Sequence, residues 1–123
     1  MEPYRRDPGA DVLLDLDGQV FVVDSKGRYL VRFTVSQVIP TTERPHGLKY
    51  SLTLHGPNGD RLVGFDNAHL VRKSGSPAGR RRGSYDHMHR FETVRPYQFT
   101  DATRLLEDFW AEVDSVLKQK GII

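Results

Sequence analysis

The chain has 123 residues, 37 % of them hydrophobic and 28 % charged, with a net charge of +2 and no cysteine. This length suits one domain with a modest core. The missing cysteines exclude disulfides and thiolate metal sites, and no apolar run reaches the length of a membrane-spanning helix. Residues Met1–Asp11 are polar and carry no secretory-type apolar stretch, so a cytoplasmic location is expected.

In chain order, residues 1–10 hold Pro3, Pro8 and Gly9 and read as a flexible arm. Residues 11–123 read as a single domain. Asp11–Leu16 and Gln19–Asp24 are expected as strands flanking a tight turn at Asp17-Gly18. Tyr29, Val31, Phe33 and Val35 alternate with Leu30, Arg32, Thr34 and Ser36, the period of a half-buried strand. Leu48, Tyr50, Leu52 and Leu54 alternate in the same way. Pro57-Asn58-Gly59 then turns the chain, and Arg61–Phe65 returns as the second arm of a hairpin. Ser74–Gly83 is rich in Gly and Arg and reads as a loop, and Asp86–Tyr97 as one further extended run.

From Asp101 to Lys120 the apolar residues Ala102, Leu105, Leu106, Phe109, Val113, Val116 and Leu117 recur at spacings of three and four, which predicts a helix with one apolar face. Thr100 or Asp101 can cap it, and Lys118 and Lys120 suit its negative end. The expected fold is α+β: a mostly antiparallel sheet of about five to seven strands with one long C-terminal helix packed on it.

Charge and chemistry concentrate between residues 66 and 95. From His69 to Arg95 there are seven Lys/Arg against two acids, a local excess of +5, whereas Asp101 to the end carries −2. Three of the five histidines lie here: His69, His87 and His89. Histidine moves protons near neutral pH, and arginine grips phosphate with a planar fork of donors. On a strand His87 and His89 share one face, with Asp86, Met88 and Arg90 on the other. Four readings compete. In the first, the segment cleaves RNA without metal. His69, His87 and His89 transfer protons, Asp66 or Asp86 orients an imidazole, and arginines stabilise the phosphate. The phosphate contacts are then Arg72, Lys73, Arg80, Arg81, Arg82 and Arg90, with Tyr85 placed to stack on a base. In the second, the histidines and an aspartate bind a metal, which the surrounding arginines oppose. In the third, the segment binds nucleic acid or protein without catalysis. In the fourth, it is a solvated turn and loop. The first is preferred, with no cofactor; the alternative is a non-enzymatic nucleic-acid- or protein-binding module, and a further alternative is a nuclease with a His/Asp metal site. His46 and His55 adjoin turn signals and are expected on surface loops.

The run Tyr50-Ser51-Leu52-Thr53-Leu54-His55, followed by Arg61–His69 with its Phe65-Asp66-Asn67-Ala68 segment and by Asp86-His87-Met88-His89-Arg90, resembles the TumE family of bacterial toxin–antitoxin toxins. The likeness covers roughly residues 28 to 119 and includes a helix like Leu105–Trp110. It implies a toxin encoded beside a DNA-binding antitoxin that neutralises it, with Asp66, Asn67, His69, His87 and His89 as the residues carried over. Asp86 stands where other members can carry a different residue. Small toxins with a sheet, a helix and a basic patch are commonly ribonucleases, so the resemblance adds by analogy to the expectation of an RNA substrate.

Overall fold

A computed structural model describes residues 7, 9–42, 44–67 and 86–123. Its elements run α1 (Ala10–Asp15), β1 (Val20–Val22), β2 (Leu30–Gln37), β3 (Leu48–His55), β4 (Arg61–Asp66), β5 (His87–Arg90), β6 (Thr93–Pro96) and α2 (Ala102–Gln119). The six strands form one antiparallel sheet in sequence order. This is the expected α+β architecture.

Alternation decides what each face of the sheet does. Val31, Phe33 and Val35 of β2 oppose Leu54, Leu52 and Tyr50 of β3, and Leu54 and Leu52 oppose Val63 and Phe65 of β4. All of them are buried. This face receives α2, whose Ala102, Leu105, Phe109, Val113, Val116 and Leu117 form its buried stripe. Phe109 meets Phe33 and Phe65 edge-on, with ring centroids 5.6 and 6.0 Å apart. Such pairs add about 0.5–1.5 kcal/mol beyond area burial. Two carboxylates serve the exposed N–H groups that begin α2. Asp101 accepts from Arg104 N at 2.7 Å, and Asp7 accepts from Ala102 N at 2.6 Å. Within the expected N-terminal arm, Asp7 is therefore tied to the domain.

Two sequence expectations are corrected. Asp11–Leu16, expected as a strand, lies mostly in α1. Ala10 and Leu13, three apart, are buried, and α1 packs on α2 and β2. A helix this short is marginal alone, so tertiary packing overrides the local apolar run. Asp86–Tyr97, expected as one extended run, is instead a hairpin. The chain reverses at Phe91, whose φ is +53°, a conformation no glycine or asparagine signals here. Thr93 Oγ1 donates to Arg90 O across this turn at 2.8 Å.

Phe109→Ala removes the ring that joins α2 to β2 and β4. We expect a loss of about 3–5 kcal/mol, read from the midpoint of urea unfolding.

Candidate functional site

The face away from α2 carries polar side chains. Ser51, Asp66 and His87 lie in one row across β3, β4 and β5, and Thr53, Gly64 and His89 in the next. Asp66 and His87 are directly opposed, and alternation brings His89 alongside. Asp66 Oδ1 is 2.6 Å from His87 Nε2, and its Oδ2 is 3.3 Å from His89 Nε2. One carboxylate thus receives two imidazoles, whose centroids are 5.0 Å apart and nearly perpendicular. Their side chains are little exposed, 5 % for His87 and 17 % for His89. His87 Nδ1 is buried and has no hydrogen-bond partner among the described residues.

The outer nitrogen of His89 faces a cation. Arg61 Nη2 lies 3.1 Å from His89 Nδ1. A guanidinium can only donate, so Nδ1 accepts, and the ring proton belongs on Nε2 toward Asp66. Burial and then the Arg61 charge push the pKa of His89 below its ordinary value of 6.5, against the opposing pull of Asp66. His89 is therefore held neutral near pH 7, which a proton acceptor requires.

Arg61 reaches this place because of a bulge. Leu54 opposes Val63 whereas His55 opposes Arg61. One extra residue, Leu62, stands in β4, and it returns Arg61 to the polar face. Gly64 completes the path, since a Cβ there would come within 3.1 Å of Arg61 Cδ and 3.5 Å of His89 Cδ2.

The other expected site residues divide. Asn67 is fully buried, and its amide acts on backbone. Oδ1 accepts from Tyr50 N at 3.0 Å and Nδ2 donates to Leu48 O at 2.8 Å. Arg44 donates to Asn67 O from Nε at 3.1 Å and from Nη2 at 2.8 Å. Asp86 points to the helix side, where Tyr50 Oη donates to Oδ2 at 2.7 Å and His46 Nε2 approaches it at 3.1 Å. His46 Nδ1 accepts from Leu48 N, so both ring nitrogens are engaged and the ring packs 4.1 Å from Phe99. The expectation of a surface His46 is corrected: it is in a loop, but its side chain folds inward onto Asp86. Burial, reinforced by the Asp86 charge, raises the Tyr50 pKa and keeps the phenol protonated.

Arg90 also lies on the helix side. It donates to Glu112 Oε1 at 3.0 Å, Ser115 Oγ at 3.1 Å and Gln119 Oε1 at 2.8 Å, across the sheet from the two histidines. His55, expected on a surface loop, instead ends β3 and is not in the cluster; its ring contacts Gly59 O and Thr53 Oγ1. His69, Arg72, Lys73, Arg80, Arg81, Arg82 and Tyr85 lie outside the described residues. Sequence reasoning missed Arg61. Its signal was present as a cation just beyond the Asn58-Gly59 turn, but its face depends on the bulge.

Buried Asp66, the paired His87 and His89, and the Asn67 that closes the strand all fall within one stretch that a family model matches. The family model described as Toxin TumE matches residues 13–117. The chain belongs to the TumE toxin family. Neither the curated proteins nor the solved structures contain a match to it. Membership makes this chain a toxin, and a toxin of this kind has an antitoxin partner. No helix among the described residues is long and apolar enough to cross a membrane.

Chemically, the TumE cluster offers two things. The imidazoles can transfer protons with Asp66 fixing their tautomers. The same groups can also ligate a metal ion, because one ligand atom from each of Asp66, His87 and His89 lies within 4.8 Å of the others. Two imidazole nitrogens and one carboxylate oxygen are a donor set suited to zinc, manganese or iron. Arg61 beside His89 opposes added positive charge.

The depressed pKa of His89 has a stability consequence. The unfolded chain binds this proton more readily than the folded one, so the contribution is complete above 6.5 and is lost as pH falls through the folded value. We expect the urea midpoint to fall below pH 6.5 more steeply for wild type than for His89→Gln, measured between about pH 7.5 and about pH 5.

Proposed function

We propose that this TumE toxin cleaves RNA by histidine proton transfer without a metal. The observation that carries the reading is His89 held on Asp66 through Nε2 with its other nitrogen facing Arg61. In the proposed reaction an RNA phosphate takes Arg61 off His89, since a guanidinium binds a phosphate anion more strongly than a neutral imidazole. His89 Nδ1, now free, accepts the proton of the ribose 2′-hydroxyl. The 2′-oxygen bonds to phosphorus as the bond from phosphorus to the 5′-oxygen breaks. A second acid, for which His69 is the proposed candidate from the sequence, protonates the departing 5′-oxygen, which leaves a 2′,3′-cyclic phosphate and a 5′-hydroxyl, and the proton held by His89 then returns to restore both groups. Arg61 stabilises the charge that develops on the phosphate oxygens. Asp66 holds both rings, and His87 packs beside His89 and fixes the carboxylate. His69 and the basic residues 72–82 remain proposed contributors from the sequence. The proposed partners are an RNA substrate in the cytoplasm and a DNA-binding antitoxin that covers the basic surface.

A second reading is favoured by the clustering of three ligand atoms: a metal-dependent nuclease with Asp66, His87 and His89 as ligands. Incubation of the purified chain with total RNA separates the two. Metal-free chemistry predicts cleavage that persists in EDTA and falls about 10²–10⁴-fold in His89→Ala. Cleavage abolished by EDTA and restored by a divalent metal would move the histidines to ligand roles. Absence of RNA cleavage by a toxic wild-type chain would overturn both.

A further inference from the structure

The polar face of the sheet extends well beyond the histidines. Register carries the row of His89 through Gly64 and Thr53 to Arg32 and then to Val20. Arg32 to His89 spans three inter-strand steps, about 14 Å. At the Arg32 end lies an open groove of about 700 Å³ lined by Arg28, Leu30, Arg32, His55 and the Gly56-Pro57 turn. Arg28 and Arg32 are exposed, and neither guanidinium forms an ion pair among the described residues, though the backbone N–H of Arg28 donates to Asp24 Oδ1 at 2.8 Å.

Charge on this face is one-sided. By strand alternation its described strand residues include Arg32, Lys49 and Arg61 against a single acid, Asp66, which is engaged by the two histidines. Over Gly64, between Thr53 and His89, lies the side chain of Arg61, whose Cδ a Cβ there would meet at 3.1 Å. Unpaired guanidiniums on a surface are ordinary when scattered. Here two of them line one groove, and Arg32 lies on the same face and in the same row as the proposed cleavage centre.

We propose that this face is the track for a single-stranded RNA substrate, with Arg28 and Arg32 holding phosphates removed from the one that is cut. The inference rests on the ribonuclease reading and adds where the rest of the strand lies. A flexible single strand can follow the flat face, and it exposes the 2′-hydroxyl for in-line attack. The contacts are to backbone phosphate, so they carry affinity rather than base specificity.

The test uses a labelled 2′-O-methyl RNA oligonucleotide, which binds but cannot be cleaved, titrated with the full chain at several salt concentrations. Arg28→Gln/Arg32→Gln is compared with Lys118→Gln/Lys120→Gln, which removes the same charge from the far end of α2. Thermal melts establish that both variants fold. We expect the arginine variant to bind about tenfold or more weakly, with the slope of log affinity against log salt reduced by about 1.4, the value for two single-strand phosphate contacts. The lysine variant should bind as wild type does. Equal affinities for wild type and the arginine variant, or equal losses in both variants, would overturn the track while leaving RNA cleavage by wild type standing. A duplex competitor as effective as the single strand would also overturn it. Failure of wild type to bind or cleave any RNA would overturn the track together with the ribonuclease reading.

Discussion

The pairing of β4 with β5 is the contact on which the site depends. It sets Asp66 directly across from His87 and Gly64 across from His89. The two segments are separated in sequence by the whole basic stretch, and hydrogen bonding between the strands sets them side by side. Because side chains alternate, the same pairing sends Met88 and Arg90 to the helix and the histidines to the opposite face. A slip of one residue would exchange the two sets. Phe65 and Met88 are therefore as important to the site as the histidines, since their packing against the core fixes the register.

Polar anchors hold both ends of the joined segments, and they converge on residues 44–50. Asn67 closes β4 with its amide on the backbone of Leu48 and Tyr50. Asp86 opens β5 with its carboxylate on Tyr50 and His46. Leaving one such buried partner unsatisfied costs about 1–3 kcal/mol, more for a charged group. Tyr50 serves both anchors through its backbone and its hydroxyl, and its ring also fills the core. A helix-side contact, Tyr97 with Asp108, ties the chain leaving β6 to α2 at 2.6 Å.

Electrostatics on the polar face point in one direction. Burial disfavours a charged His89, and Arg61 disfavours it further, while Asp66 favours it. Desolvation and the cation outweigh the carboxylate, and the imidazole stays neutral. The same cation facing an anionic substrate would exchange a neutral acceptor for a charged one. The Arg61 contact therefore suits both the resting protein and the proposed encounter with phosphate.

The sequence by itself determined the alternating strands of the central sheet, the amphipathic C-terminal helix with its Asp101 cap, the family, and the sharing of one face by His87 and His89. Apart from the family, which rests on segments spread along the chain, these features are local: each depends on residues two to four positions apart, so periodicity reveals them. Tertiary structure alone decided which carboxylate meets the histidines. Strand parity in the sequence already sets Asp86 on the face opposite the histidines, but only the pairing of β4 with β5 brings Asp66 to the imidazoles and only the packed core gives Asp86 its partners Tyr50 and His46. It also decided that Arg90 belongs to α2 and Arg61 to the site, through a bulge at Leu62 that no residue pattern announces. The residues around Leu13 became a helix, and Phe91 a turn, for the same reason. Packing against elements distant in sequence supplied more free energy than local preference could oppose.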